Sequence, residues 1–210
     1  MKHGFVKTAA ATPDIRVADT AYNQEKICEC ILEAEKLRAK ILVFPELCVT
    51  GYTCGDLFTQ DVLLRNARQA LLHIAEFTKE KDMLVFVGLP LCVEGKLYNV
   101  AAALNRGEIL GFTTKTFLPN YGEFYEMRQF TPGPRTARMI EFEGAQIPFG
   151  PQLLFPCRNM EELVVSAEIC EDVWSPVPPS IQAALEGATV IVNCSASDET
   201  IGKDVYRREL

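Results

Sequence analysis

Apolar positions along the chain follow two different periods. Short continuous apolar runs, typical of buried strands, alternate with longer segments in which apolar residues recur every three or four positions, as on the buried face of a helix. The first pattern predicts strands over residues 5–12, 41–46, 83–90, 138–142, 152–155, 162–170 and 189–196. The second pattern predicts helices over residues 23–40, 61–81, 178–186 and 198–210.

A hairpin is predicted in the middle of the chain. Over residues 98–115, two apolar segments flank Asn105-Arg106-Gly107-Glu108, and Gly107 can adopt the positive φ that a tight return requires. A loop rich in proline and glycine follows over residues 119–134. Because strands and helices alternate around hairpin-linked strands, we expect an α/β protein in which helices pack outside a mixed sheet. No internal repeat or linker interrupts the pattern, which predicts one domain over residues 1–210.

Composition excludes several classes of function. The 210 residues are 48% hydrophobic, enough for one sizeable core. The net charge is −7 and no block of Lys and Arg is present, so a nucleic-acid partner is not expected. No apolar run approaches the roughly 20 residues needed to span a bilayer, so we do not expect a membrane protein. The eight cysteines form no C-x-x-C pair and have no histidine at zinc spacing, which favours reduced thiols in a cytoplasmic protein without a metal site.

Three residues with suggestive chemistry stand where predicted strands end. Glu46 ends ILVFPE, Lys115 ends the second strand of the hairpin, and Cys170 ends VVSAEIC. In α/β proteins, reactive side chains collect where strands finish and loops begin. Each residue alone has an ordinary interpretation. A glutamate or a lysine at a strand end is typical of a protein surface, and a cysteine after an apolar strand is typical of a core. Only tertiary folding can bring the three together.

The chemistry of the three side chains is complementary. A thiol has an ordinary pKa of about 8.5, and it becomes a nucleophile when a base takes its proton or a cation stabilises the thiolate. Glu46 can serve as that base, and Lys115 can stabilise negative charge on sulfur and then on an oxyanion. Histidine is the usual partner of a catalytic cysteine, but the chain has only His3 and His73, and neither is placed to serve.

The loop after Lys115 is unusually aromatic for a surface connection. It carries Phe117, Tyr121, Phe124 and Tyr125, and the exposure of all four rings together is unfavourable. We therefore expect this loop to pack over part of the protein. The alternative interpretation is that Tyr121, Phe124 and Tyr125 belong to the core. Glu171 and Asp172 follow the cysteine directly, and the sequence assigns no role to Asp172.

Longer stretches around these residues resemble a known family. FPELCVTGY, KTFLPNYGEFYEMRQFTPG and AEICEDVW are similar, in order and spacing, to the three active-site segments of the nitrilase (carbon–nitrogen hydrolase) superfamily. KTFLPNYGEFYE, EDVWSPVPPS and NCSASDETIGKDVYRREL resemble one branch, the N-terminal glutaminase domains of glutamine-dependent NAD(+) synthetases. The resemblance runs from about Phe5 to Leu210.

The resemblance implies a fold and a set of roles. The fold is a four-layer α-β-β-α sandwich of the nitrilase type, with mixed sheets and helices outside. Cys170 is implied as the nucleophile, Glu46 as the general base, Lys115 as the stabiliser of the oxyanion, and Glu123 as a second acid beside the lysine. Further positions match the glutamine pocket of this branch or its surroundings: Tyr121, Phe124, Glu171, Trp174 and Ser197.

The resemblance also implies partners. Glutamine is the expected substrate, and its ammonia serves a C-terminal synthetase domain that amidates deamino-NAD(+) with ATP. We expect residues 1–210 to contain the glutaminase domain without its C-terminal part and without the synthetase domain. No cofactor is expected in this domain, and ATP and Mg²⁺ are expected only in the synthetase domain, because no glycine-rich phosphate loop occurs in the sequence. A homo-oligomer is expected.

Two other interpretations remain open from the residues alone. The chain could be a stand-alone amidase of the nitrilase family that acts on another small amide. It could also be a non-catalytic interaction module, in which Cys170 would not react with an electrophilic analogue of glutamine.

Overall fold

Ten strands and five α-helices alternate along residues 4–209, the part of the chain that the computed structural model describes. In chain order they are β1 (Thr8–Ala10), α1 (Thr20–Lys36), β2 (Ile41–Val43), α2 (Asp61–Phe77), β3 (Leu84–Val93), β4 (Lys96–Asn105), β5 (Glu108–Thr114), α3 (Glu126–Gln129), β6 (Arg138–Phe142), β7 (Ala145–Gly150), β8 (Leu154–Pro156), β9 (Val164–Ile169), α4 (Pro179–Leu185), β10 (Val190–Cys194) and α5 (Lys203–Glu209). Two 3₁₀ segments, Tyr52–Thr59 and Cys170–Trp174, follow β2 and β9.

The strands form two mixed sheets, whereas the apolar pattern alone predicts one and the family resemblance implies two. The larger sheet has the order β1-β2-β3-β4-β5-β7-β6, and the smaller has the order β10-β9-β8. In the larger sheet, β1, β2 and β3 run parallel, whereas β3, β4 and β5 are antiparallel neighbours. In the smaller sheet, β9 runs parallel to β10 and antiparallel to β8.

Alternating side chains divide the larger sheet into two faces. In β3, Val85 and Val87 pack with the buried residues of α1 and α2, whereas Phe86 points to the opposite face. In β4, Ala101 joins Phe86 in a second core that the smaller sheet completes. Because the side chains of a strand alternate with period two, both faces of this sheet are apolar and both are covered.

Helices cover the outer faces of the two sheets. The α1 and α2 helices pack on the larger sheet, and α4 packs against β9 of the smaller one. The order of layers is therefore helix, sheet, sheet, helix, which confirms the predicted four-layer α-β-β-α sandwich. Within residues 4–209, no helix has both the length and the hydropathy that crossing a membrane requires.

Tight turns account for what the sequence pattern misses. The predicted hairpin over residues 98–115 is confirmed as β4 and β5, joined at Arg106 (φ 51°) and Gly107 (φ 86°). The same left-handed pair recurs at Glu94-Gly95 and Glu143-Gly144. These turns join β3 to β4 and β6 to β7, two hairpins that the apolar runs alone do not predict. The β7 strand begins with two exposed residues, Ala145 and Gln146, and so does not start as an apolar run.

Some element boundaries differ from the predictions. The first helix begins at Thr20, three residues earlier than predicted, because the Asp19 carboxylate accepts a hydrogen bond from the Tyr22 N–H at 3.1 Å and caps the helix. The predicted loop over residues 119–134 contains the short helix α3. His73 is exposed on α2, and His3 lies outside the described residues.

Candidate active site

Three strand ends bring Glu46, Lys115 and Cys170 together between the sheets. Glu46 follows β2, while Lys115 and Cys170 directly follow β5 and β9. All three are nearly inaccessible to solvent, with exposed fractions of 1%, 1% and 6%. The Lys115 Nζ atom lies 2.6 Å from Glu46 Oε1, and the charges of both residues act on the Cys170 thiol. The three residues that the sequence places far apart therefore form one buried cluster.

A second acid holds the lysine, and it is Glu126. The Lys115 Nζ atom lies 2.5 Å from Glu126 Oε1, and the Tyr52 hydroxyl donates to the same oxygen at 2.8 Å. The prediction that Glu123 lies beside Lys115 is wrong: Glu123 is exposed and lies beside Asp198. Both acids belong to one aromatic loop, and only the turn into α3 directs Glu126 inward.

The charged groups of this cluster shift one another's pKa values. Burial acts to lower the pKa of Lys115, but the carboxylates of Glu46 and Glu126 prevail and raise it above the ordinary value. Burial and the charge of Glu46 raise the pKa of Glu126, and Lys115 opposes that shift. Lys115 therefore remains an ammonium ion although it is removed from water.

The cysteine is held as a neutral thiol. Burial raises the pKa of Cys170 to about 12, with a further contribution from the charge of Glu46, while Lys115 and a hydrogen bond with Ser195 act in the opposite direction. Near neutral pH the resting sulfur is therefore protonated. Its reactivity depends on a base that removes the proton when a substrate binds.

The backbone at the cysteine is strained and braced. Cys170 has a φ of 46°, a left-handed conformation that is unfavourable for a residue with a side chain. The Asn193 side chain on β10 bridges this residue, because its Oδ1 accepts from the Cys170 N–H at 3.2 Å and its Nδ2 donates to the Cys170 carbonyl at 3.4 Å. The sharp turn presents the thiol at the end of β9.

Asp172 ties the cysteine turn to the lysine loop. Its carboxylate is fully buried and accepts from the backbone N–H groups of Thr116 (3.0 Å), Phe117 (2.8 Å) and Ile169 (3.1 Å). Burial raises the pKa of Asp172 to about 7, although the three N–H donors oppose the shift. This residue, to which the sequence assigns no role, fixes the position of Lys115 relative to Cys170.

Close backbone packing positions Glu46. The segment Pro45–Leu47 lies against Gly88 of β3, where a Cβ atom would be 2.4 Å from the Leu47 nitrogen and 2.6 Å from the Pro45 oxygen. Only glycine permits this approach. The carboxylate of Glu46 then accepts a hydrogen bond from Asn99 Nδ2 at 2.7 Å.

The predicted pocket residues lie around this cluster to different extents. The Tyr121 hydroxyl donates to both carboxylate oxygens of Glu171, at 3.0 and 2.9 Å, and its ring meets Phe124 edge-on at 5.8 Å. Trp174 stacks on the Tyr206 ring of α5, with centroids 4.8 Å apart. Ser197 accepts a hydrogen bond from Lys203 at 2.7 Å.

Sequence reasoning misses several residues that the fold brings to the site: Tyr52, Asn99, Glu126, Asn193 and Ser195. Tyr52, Asn99 and Glu126 do not stand at the end of an apolar run, whereas Asn193 and Ser195 flank Cys194 at the end of β10 and carry the same strand-end signal as Cys170. A simple pattern could also identify Asn99, since an uncharged amide interrupts an otherwise apolar buried strand.

Metal ligands, thiols and surface cavities are the other candidates for a centre of chemistry, and within residues 4–209 the buried cluster is not accompanied by a metal-ligand group. In the described part of the chain, no three His, Cys, Asp or Glu side chains cluster as metal ligands. All eight cysteines, which lie between residues 28 and 194, are free thiols. Two surface cavities of about 490 and about 530 Å³ lie beside α2 and are lined by none of the cluster residues.

Comparison with known proteins agrees with the four-layer fold. The buried acid, lysine and cysteine on a four-layer sandwich define a hydrolase that acts through sulfur. Residues 7–207 match the family model described as carbon–nitrogen hydrolase. The chain therefore belongs to the carbon–nitrogen hydrolase family of hydrolytic enzymes.

Within this family, the chain is similar in sequence and in structure to glutamine-dependent NAD(+) synthetases. The chain is 41% identical over 211 residues to a glutamine-dependent NAD(+) synthetase of Mycobacterium tuberculosis, which matches all of this chain and 31% of the relative. A crystal structure of a glutamine-dependent NAD(+) synthetase from Cytophaga hutchinsonii superposes with a TM-score of 0.85 at 32% identity, covering 97% of this chain and 33% of that one. The chain thus spans about a third of the length of these proteins.

A smaller protein shares the fold. An amidase from Nesterenkonia sp. superposes with a TM-score of 0.68 at 22% identity, and the match covers 95% of this chain and 69% of the amidase. At this identity the likeness shows the architecture alone.

Proposed function

We propose that this chain hydrolyses the side-chain amide of glutamine through a thioester on Cys170, with Glu46 as general base and Lys115 as stabiliser of the oxyanion. The observation that carries the proposal is the buried ion-paired cluster, in which Lys115 lies between two carboxylates and acts on the thiol. The names of the relatives, glutamine-dependent NAD(+) synthetases, support glutamine as the amide.

The first half of the reaction forms the thioester. Glu46 accepts the thiol proton while the sulfur of Cys170 attacks the amide carbon, and the carbonyl oxygen becomes an oxyanion. Lys115 has three N–H donors, of which Glu46 and Glu126 occupy two, so the third is free for the oxyanion. The backbone N–H of Glu171 is the second donor in this proposal. The carbon–nitrogen bond then breaks, and Glu46 returns its proton to the leaving nitrogen, which departs as ammonia.

The second half releases glutamate. A water molecule gives a proton to Glu46 and attacks the thioester carbon. The carbon–sulfur bond breaks, the sulfur recovers the proton from Glu46, and the acid product leaves. Each positioned proton transfer contributes roughly 10²–10⁴-fold, and an oxyanion donor contributes about 10²–10³-fold.

Recognition of glutamine is assigned to the rim of the cluster. Glu171, beside the nucleophile, offers a carboxylate that suits the α-ammonium group of an amino acid, and Tyr121 orients that carboxylate. Phe124 supplies an apolar wall for the methylene groups, and we place Trp174 and Ser197 in the same pocket. Glu123, which is exposed, is not included in the machinery.

The ammonia is proposed to serve a synthetase domain like that of the longer relatives. ATP and Mg²⁺ belong to that reaction and are not required for the hydrolysis described here. A homo-oligomer remains a prediction. The eight free thiols support a reducing, cytoplasmic location.

The test combines turnover with covalent labelling. Release of ammonia is compared for glutamine, short aliphatic amides and nitriles, and a diazo-ketone analogue of glutamine is used to label the protein, followed by mass spectrometry. We expect glutamine to be preferred, and the label to be lost in Cys170→Ala but retained in Cys92→Ala, which removes an exposed thiol.

Each outcome has one meaning for the proposal. An equal rate with short aliphatic amides identifies a stand-alone amidase and overturns the choice of glutamine. Labelling that persists in Cys170→Ala, or no labelling of a folded protein, overturns the nucleophile and favours the non-catalytic module.

A further inference from the structure

The two oxygens of the Glu46 carboxylate have different partners. Oε1 accepts from Lys115 Nζ at 2.6 Å and from Asn99 Nδ2 at 2.7 Å. Oε2 accepts one longer hydrogen bond, from the Ala196 N–H at 3.3 Å. A carboxylate oxygen has two lone-pair sites, so Oε1 is saturated and Oε2 retains the capacity to take a proton.

Asn99 is placed for this contact by the sheet itself. It lies on β4, two residues before Ala101, and so faces the smaller sheet as Ala101 does. Asn99 is 1% exposed, and its backbone carbonyl accepts a hydrogen bond from the backbone N–H of Lys115 at 3.0 Å. Because an ionised carboxylate only accepts, the Asn99 amide must present its nitrogen to Glu46.

We propose that Asn99 is a positioning residue that reserves Oε1 of Glu46 and thereby makes Oε2 the atom that exchanges the proton with Cys170 and with the leaving nitrogen. The inference deepens the proposed function, on which the basic role of Glu46 rests. During attack, the proton moves from Cys170 Sγ to Glu46 Oε2. When the carbon–nitrogen bond breaks, the same proton moves from Oε2 to the departing nitrogen.

The physical reason is the softness of the terminal torsion of glutamate. Rotation of a carboxylate about its last carbon–carbon bond has a broad and nearly two-fold profile, so one ion pair does not fix which oxygen faces the sulfur. Two donors that meet at one oxygen from different elements, β4 and the end of β5, define the plane of the group. Loss of one donor lets Oε2 move, and a misplacement of about 1 Å reduces a rate by roughly 10²-fold.

The test replaces the amide by an apolar group of similar size. Asn99→Leu removes the donor, and Asn99→Ser, whose side chain is too short to reach Oε1, serves as the second variant should the leucine disturb folding. Thr113→Val is the matched control, since Thr113 faces Ala101 across the pair of strands and its buried hydroxyl has no hydrogen-bond partner within residues 4–209. The measurements are kcat and KM for glutamine, and the rate of Cys170 alkylation by iodoacetamide.

We expect kcat to fall by roughly 10–100-fold in Asn99→Leu with KM within about threefold of the wild type, because Asn99 contacts Glu46 rather than the substrate. Alkylation of Cys170 is expected to slow as well, and Thr113→Val to behave as the wild type. In an E46Q background, the substitution at Asn99 is expected to have no further effect on alkylation, since the group through which it acts is already lost.

Two results overturn the inference. One is wild-type kcat and alkylation in folded Asn99→Leu and Asn99→Ser. The other is an equal slowing of alkylation with and without the carboxylate of Glu46, which identifies a general disturbance of the fold. The alkylation measurements need no glutamine, so a wild type that alkylates normally but ignores glutamine overturns the proposed substrate and leaves the role of Asn99 decided on its own data.

Discussion

Substitution of Lys115 by methionine removes an ammonium ion from between two buried carboxylates. The side chains of Lys115 and Glu46 are fully buried, and that of Glu126 is 4% exposed. Removal of one partner from a buried ion pair costs about 3–5 kcal/mol, because the remaining charge stays desolvated without its counter-ion. In a domain of this size each kcal/mol lowers Tm by about 2–4 °C, so we expect Lys115→Met to lower Tm by about 6–20 °C at pH 8.

The loss depends on pH in a defined direction. Burial and Glu46 already raise the pKa of Glu126, and Lys115 opposes this shift, so the substitution raises that pKa further. An acid with a raised pKa binds its proton more tightly in the folded state than in the unfolded chain, and stability therefore increases as pH falls through the raised value. The difference between wild type and Lys115→Met is expected to shrink from pH 8 towards pH 5.5.

Thermal unfolding at a series of pH values measures the effect. The double substitution Lys115→Met with Glu126→Gln removes one of the two like charges and is expected to recover part of the lost stability. Lys79→Met breaks an exposed pair with Glu76 and is expected to change Tm little. A Lys115→Met protein whose Tm matches the wild type at pH 8, or whose deficit does not change with pH, would refute the electrostatic reasoning.

Three further substitutions probe the residues that position the cluster. Gly88→Ala places a methyl group against the backbone beside Glu46, and we expect a loss of about 1–3 kcal/mol in unfolding free energy together with a fall in kcat; normal values of both contradict the packing argument. Tyr121→Phe removes the donor to Glu171 and is expected to raise KM for glutamine about three- to tenfold at nearly constant kcat; an unchanged KM excludes that contact from recognition. Burial raises the pKa of Asp172 to about 7, so this group makes wild-type stability decline as pH rises from about 4 to about 7. Asp172→Asn is expected to remove that part of the decline, measured by denaturant unfolding at a series of pH values. An identical pH dependence in both proteins contradicts the assignment.

The apolar pattern predicts most of the strands and helices, because the period of apolar residues differs between a buried strand and the buried face of a helix. Their arrangement in four layers is implied by the family resemblance and not by this pattern. Strands such as β3 and β9 are buried on both faces and therefore read as continuous apolar runs. The β7 strand does not, since its first two residues are exposed and it depends on the tight Glu143-Gly144 turn that returns it along β6. A residue followed by glycine between two short segments, as at Glu94-Gly95 and Glu143-Gly144, is thus a sequence signal for a hairpin beside the apolar run itself.

The residues of the candidate site likewise include some that the sequence predicts and others that only the tertiary structure identifies. Glu46, Lys115 and Cys170 each end a strand, and strand ends can be located from the sequence. The choice between Glu123 and Glu126 cannot, because it depends on the turn that begins α3 and on the Tyr52 hydroxyl, 74 residues earlier in the chain. Contacts of this kind are set by tertiary packing, and spacing within one loop does not determine them.

The charges of the cluster explain why two acids accompany one lysine. In the proposed mechanism, the resting site holds two carboxylates, Glu46 and Glu126, one ammonium ion, Lys115, which lies between them, and a neutral Cys170. When, in the same proposed mechanism, Glu46 takes the thiol proton and the carbonyl oxygen becomes an oxyanion, the site again holds two negative charges and one positive charge. We infer that attack moves a negative charge from Glu46 to the oxyanion, and both groups lie within reach of the same ammonium ion. Attack therefore creates no additional charge in a buried region where an unpaired charge has a high desolvation cost. Glu126 keeps Lys115 paired at the moment when Glu46 is neutral, so the ammonium ion does not release its own proton to the reaction.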